Sequence, residues 1–276
     1  MPWHLTLSAE GRHALFPSEE RRRAAVRALS RVASDRLLLF CVVDDHVHLV
    51  VQGERAAAGL LARALSRSLQ PISAGGLQPA HIREVSGRSH LEGLVRYLLT
   101  QPARHGLDVR PALWSGSCFA DLVGARHVAP GLGARLSEAL PRYRLRAAYA
   151  AVGLPEAPLV PATDAELRAA GATALVRAAG SVLAVGPALL GKAAPVVLAR
   201  RAAVILASTA GIHTEEIAWA LGQPPRSVRR LAEVPVPPAV LAALRLRLAL
   251  EAAAAASAAP PLVSESEVEW STGGEE

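Results

Sequence analysis

Two apolar, β-branched runs, "DRLLLFCVV" ending at Val43 and "HVHLVVQG" beginning at His46, are separated only by Asp44 and Asp45. So short a gap leaves room for a reversal and little else, so the pair reads as a β-hairpin, although Asp-Asp is a weaker turn than Asp-Gly. Upstream, "WHLTLS" alternates like a short strand. "PSEERRRAAVRALSRVAS" then has helical spacing, with Ser18 as cap, Glu19 and Glu20 in the first turn, and Ala25, Val26, Leu29 and Val32 on one face. Downstream come a helix, "AAAGLLARALSRSLQ", closed by Pro71 and Gly75-Gly76, a short strand, "HIREVS", and a helix, "SHLEGLVRYLLTQ", which Pro102 is expected to end or kink. The order β-α-β-β-α-β-α is the split βαβ pattern. It predicts an α+β fold, a ferredoxin-like antiparallel sheet with helices on one face.

From Pro111 onward the strand signals stop. Residues 126–160 are rich in Gly, Pro, Ala and Arg and read as a linker carrying one basic helix, "PRYRLRAAYAAVG". Residues 161–255 read as an all-α domain, and 256–276 as an acidic, disordered tail with too few apolar residues to order itself. The expected organisation is therefore a first domain over 1–125, a linker, a helical domain and a tail.

The formal net charge is +6 with a pI near 10.3, and almost all the basic residues are arginine, whose planar fork suits phosphate. Nucleic acid is the first partner this suggests, although an alanine- and arginine-rich chain also fits a GC-rich genome. The two cysteines, Cys41 and Cys118, exclude a disulfide framework and a cysteine-only zinc site, and fit a reducing cytoplasm. No signal peptide is legible. The longest apolar run, Ala178 to Gly191, contains Gly and Pro and falls short of a membrane span, so no membrane partner is expected.

His46 and His48 alternate with Val47 and Leu49, so both imidazoles leave one face of the strand, roughly 7 Å apart along the backbone. Neutral imidazoles placed so can share a divalent cation, but two ligands do not complete a site. Tyr97 and Gln101 in "LVRYLLTQPARHG" are four apart, which puts a phenol and an amide oxygen on one helix face. His13, His81, His90, His105 and His213 lack a spacing partner and are expected at the surface or at caps. A histidine-triad hydrolase would need a third alternating histidine where Val50 stands, and no phosphate-cradling glycine motif follows a strand.

Taken together, "LLLFCVVDDHVHLVV" and "YLLTQPARHGL" on this scaffold resemble the HUH single-strand nucleases, and within them the single-tyrosine transposases of the small insertion-sequence and REP-associated kind. The resemblance covers roughly residues 1–125. Where that family commonly has Met-Pro-Asn before the first histidine, this chain has Val43-Asp44-Asp45. The resemblance implies that His46, His48 and Gln101 hold one Mg or Mn ion. It implies that Tyr97 attacks a DNA phosphodiester, leaving a 5′-phosphotyrosyl enzyme and a 3′-hydroxyl. The expected partner is DNA, single-stranded or hairpin, handled by a monomer or a homodimer. Arg21, Arg22, Arg23, Arg63, Arg67, Arg83 and Arg88 are candidate phosphate contacts.

A second segment, "TAGIHTEEIAWALGQPPRSVRRLAE", resembles a helix-turn-helix: Thr214 caps, Ile217 and Leu221 face inward, Gly222 turns the chain, and Pro225 opens a helix. Arg226, Ser227, Arg229 and Arg230 would face DNA, with Val228 and Leu231 packed inward. A domesticated, non-catalytic DNA-binding regulator built on that segment is the alternative reading.

Overall fold

The computed structural model describes residues 1–11, 13–107 and 110–257, so all but the first two residues of the stretch read as a tail lie outside it. The first half runs β1 (Pro2–Ser8), α1 (Glu19–Ala33), β2 (Leu37–Val42), β3 (His46–Gln52), α2 (Arg55–Leu69), β4 (His81–Glu84) and α3 (Gly87–Arg104). The strands form one sheet in the order β2-β3-β1-β4 with every pairing antiparallel, the arrangement that the split βαβ pattern predicts.

Register sorts the side chains into two faces. Leu5 lies opposite Leu49 and Leu7 opposite Val47 on one face, whereas Thr6 lies opposite His48 and Ser8 opposite His46 on the other. All six residues of β2 are buried, so the sheet is covered on both faces there rather than on one. The helices α1 and α2 pack on each other. The third helix, α3, follows the last strand and lies over the histidine face, where the Tyr97 ring stands edge-on to His48 at a centroid distance of 5.4 Å.

Pro102 does not end α3, which runs to Arg104. A proline this close to the C-terminus deprives only the Leu98 carbonyl of its donor. The chain then closes through the His105 N–H to the Gln101 carbonyl at 3.0 Å and the Leu107 N–H to the Pro102 carbonyl at 3.2 Å. Burial of Leu91, Leu94, Val95, Leu98, Leu99 and Pro102 itself holds that face of the helix against the core.

After the short α4 (Phe119–Leu122), the stretch expected as a linker carries two helices rather than one, α5 (Leu132–Ala139) and α6 (Arg146–Ala151). Leu132, Leu136, Leu140, Tyr149, Val152 and Leu154 are buried in the same cluster as the sheet. A buried ion pair anchors the start of this stretch: Arg126 donates to Asp121 and to the Ser115 and Ser117 carbonyls, and Asp121 Oδ1 accepts from the Ala129 N–H at 3.0 Å.

The remaining helices are α7 (Asp164–Val182), α8 (Ala194–Thr209), α9 (Thr214–Leu221), α10 (Pro225–Ala232) and α11 (Pro238–Ala256). They gather a second apolar cluster from Ala162 to Leu248. Thr163 and Glu166 form a reciprocal capping box at the start of α7, which bends at Gly171 with φ 78°. His213, not Thr214, is the N-cap of α9, and it makes no side-chain cap bond. Gly222 closes α9 in the left-handed region, and α10 opens at Pro225 with Val228 buried.

Candidate active site

The reversal before β3 is fixed from outside the hairpin. The Asp44 carbonyl accepts the N–H groups of Leu15 at 2.6 Å and Phe16 at 2.9 Å, the Asp45 carbonyl accepts from Ala9 at 3.0 Å, and Arg22 donates to Asp44 Oδ1 at 3.1 Å. Ala9, Leu15, Phe16 and Arg22 thereby set where His46 begins.

His46 and His48 leave the same face with ring centroids 4.5 Å apart. His48 is 5% exposed. Its Nδ1 lies 3.1 Å from His4 Nε2 and 3.2 Å from Thr6 Oγ1, while its Nε2 is buried without a hydrogen-bond partner. His46 Nδ1 lies 2.7 Å from Asp45 Oδ1. From the opposing helix, Tyr97 covers His48, and the buried Gln101 side chain, close to both Tyr97 and His46, donates from its amide to the Tyr97 backbone carbonyl at 3.4 Å. The strand pair and the helix pair, separate along the chain, thus meet in one place.

Burial dominates the electrostatics. It pushes His4 down to about 4, lowers His46 although Asp45 pulls the other way, and holds His48 well below the ordinary imidazole range, with the neighbouring histidines adding to that effect. Near neutral pH these imidazoles are neutral and carry lone pairs. Burial raises the Tyr97 phenol, against the opposing pull of Arg104, whose guanidinium lies 5.4 Å from the ring centroid, and of the Gln101 hydrogen bond.

An unpartnered buried imidazole nitrogen is costly unless something binds it. The His46 ring stands next to it, 4.5 Å from that of His48 between centroids, and two neutral imidazoles so placed can share a divalent cation.

Three neighbours are not evident from spacing along the strand and helix. His4 reaches His48 only through the pairing of β1 with β3. Asp45 belongs to the turn, where an aspartate needs no further explanation. His105, expected at the surface or at a cap, is indeed the C-cap of α3, yet its ring lies 5.0 Å from that of His46. The spacing Tyr97, Gln101, His105 is a usable signal, a stripe of four-residue steps on one helix face.

Among the candidate phosphate contacts, three are committed to the fold. Arg21 donates to the Ile72 carbonyl, Arg22 to Phe16 and Asp44 while stacking on Trp114, and Arg23 is buried against Glu19 and the Val185 carbonyl. Successive helical residues point about 100° apart, so three adjacent arginines cannot share one solvent face. Arg63, Arg67 and Arg83 are exposed, and Arg88 pairs with Glu92. On α10, Arg226, Arg229 and Arg230 are exposed and Ser227 is half-buried.

Fold and site together define an α+β protein with a histidine- and tyrosine-lined centre between strand and helix. No family model and no curated protein matches the chain. Among solved structures it is similar to a REP-associated tyrosine transposase bound to a REP hairpin, at 16% identity and a TM-score of 0.38, over 44% of this chain and 78% of that one. Among the described residues, no helix is long and apolar enough to cross a membrane.

Proposed function

We propose that this chain is a transposase-like single-strand DNA endonuclease and strand transferase of the HUH tyrosine type, with Tyr97 as nucleophile and His46, His48 and Gln101 as ligands of a Mg or Mn ion. The observation that carries the reading is the meeting of the unpartnered His48 Nε2, His46 and Gln101 beneath the Tyr97 ring. When bound, the ion supplies Lewis-acid polarisation of the scissile phosphate and offsets charge growing on its oxygens.

The protein's own groups account for the rest. The Tyr97 oxygen, giving up its phenolic proton to solvent, attacks phosphorus in line as the bond to the 3′-oxygen breaks, and the departing 3′-oxygen takes up a proton, leaving a 5′-phosphotyrosyl enzyme and a free 3′-hydroxyl. The phosphodiester's energy is kept in the tyrosyl ester, so rejoining needs no ATP. Gln101, one helical turn from Tyr97 and close to His46, sets the nucleophile's position relative to the ligands. Arg104, beside the ring, favours the phenolate. The basic helix α10, with α9, serves as a helix-turn-helix in a separate domain over 161–255, with Arg226, Ser227, Arg229 and Arg230 towards DNA.

The test is a denaturing gel for a covalent protein–DNA adduct, using 5′- and 3′-labelled single strands and hairpins with Mn or Mg. The expected result is a metal-dependent adduct retaining the label of the 3′-side fragment, lost in Tyr97→Phe and in His46→Ala. Binding to a broad hairpin library without any adduct would overturn the nuclease reading in favour of the non-catalytic regulator.

A further inference from the structure

Asp45, His46 and His105 bring three ligand atoms within 4.8 Å of one another at the outer rim of the centre. Asp45 Oδ1 is 2.7 Å from His46 Nδ1 and 4.0 Å from His105 Nδ1. Two are consecutive residues of the hairpin and the third comes from the end of the helix packed over it. Asp45 sits in the reversal held by Ala9, His46 opens β3, and His105 caps α3 through its N–H to the Gln101 carbonyl. From these positions we infer a second cation seat, formed by Asp45, His46 and His105, that takes a transition-metal ion such as Zn or Co and shares His46 with the inner donors, His48 and Gln101.

Three considerations support it. Metal–ligand bonds of about 2.0–2.2 Å require donor atoms roughly 3–3.5 Å apart, so the side chains need shifts on the order of 1 Å to close on an ion. Asp45 and His105 have that freedom, with side chains 50% and 32% exposed. Two imidazole nitrogens and one carboxylate oxygen form a set suited to zinc-like ions rather than to Mg, and the exposed side leaves room for water in the remaining positions.

The sharing of His46 makes the two seats exclusive. With the outer seat empty, Nδ1–H donates to Asp45 Oδ1, which leaves the ring's lone pair on Nε2. An ion at the outer seat takes the Nδ1 lone pair; the proton formerly there is carried by Nε2, and that nitrogen becomes a donor that cannot ligate. Outer occupancy therefore removes an inner ligand without moving the backbone. The existence of the outer seat does not depend on any chemistry at Tyr97, and only the exclusion rests on the proposed inner ligands.

Titration of Co2+ into the full chain, followed by its visible absorption, tests the seat, with circular dichroism recorded for each variant. Asp45→Ala and His105→Ala should each weaken binding by about tenfold or more, and His48→Ala, which removes the competing inner donor, should not weaken it. His105→Gln, at an exposed helix end, provides a second variant if alanine there disturbs α3. Wild-type affinity in both the Asp45 and His105 variants, equal loss in all three, or no Co2+ binding by the wild type would overturn the seat. Loss confined to His48→Ala would also overturn it, while leaving the proposed inner ligands standing. The exclusion is read from Mn2+ by electron paramagnetic resonance. One equivalent of Zn2+ should release bound Mn2+ from the wild type and not from His105→Ala, and retention of both ions in the wild type would overturn the exclusion.

Discussion

At the scale of single residues, the centre is organised by imidazoles that burial keeps neutral. His4 is the clearest case, lowered to about 4 chiefly by loss of water and then by the neighbouring charges of His90, His81 and Arg83. An unfolded histidine takes up its proton near 6.5, whereas folded His4 does not until about 4. Between those values the unfolded state binds more protons, so stability falls as pH is lowered through the window. The full loss from this group is on the order of 3 kcal/mol, reached once both states are protonated. Urea midpoints measured from pH 7 to pH 4 should decline for the wild type and decline less for His4→Asn; parallel profiles would contradict the assignment. His48, lowered in the same direction, adds to the remaining slope.

Among the elements, α3 and the segment after it show how packing overrides local signals. Proline is a helix breaker in the interior, but one turn from the end it costs a single acceptor, and a buried face outweighs that. The extension to Arg104 brings His105 to His46 and Arg104 to Tyr97. The stretch from Leu132 to Leu154 has an Ala-, Gly- and Pro-rich pattern that suggests a tether, yet Leu132, Leu136, Leu140 and Leu154 belong to the sheet's own core. Its anchor is the pair Asp121–Arg126, with side chains 0% and 4% exposed. Asp121→Ala would strand the Arg126 charge in the interior and leave the Ala129 N–H without its acceptor. Chemical denaturation should show a loss of about 3–5 kcal/mol. A change under about 1 kcal/mol would mean that the pair is better solvated than its burial indicates.

At the largest scale, the two apolar clusters among the described residues are linked by a few specific hydrogen bonds and packing residues. Arg23 and Arg27 on α1 donate to the Val185 and Ala184 carbonyls after α7, and α11 returns Leu250 and Ala254 to the sheet's cluster. The exposed arginines of α10 form the other large-scale feature. If they bind phosphates, replacing Arg226, Arg229 and Arg230 together by alanine should flatten the dependence of log K on log salt by roughly 2–3 for duplex DNA. Affinity measured between 50 and 200 mM salt gives the slope, which changes by on the order of one unit for each phosphate no longer neutralised. Weakened binding with an unchanged slope would show that these residues act on the fold of α10 rather than on phosphate.

The features legible along the chain follow from rules that act over a few residues. A two-residue period puts His46 and His48 on one face, a four-residue step puts Tyr97 with Gln101, and alternating runs give the order of strands and helices up to α3. The remaining contacts depend on pairings made across long stretches of chain. His4 meets His48 through strand pairing between residues 44 apart, and His105 meets His46 across the gap between helix and sheet. Of the consecutive Arg21, Arg22 and Arg23, the packing of α1 tied all three to protein acceptors. Spacing specifies which side chains share a face. Which faces then meet is set by register and by how much apolar surface each meeting buries.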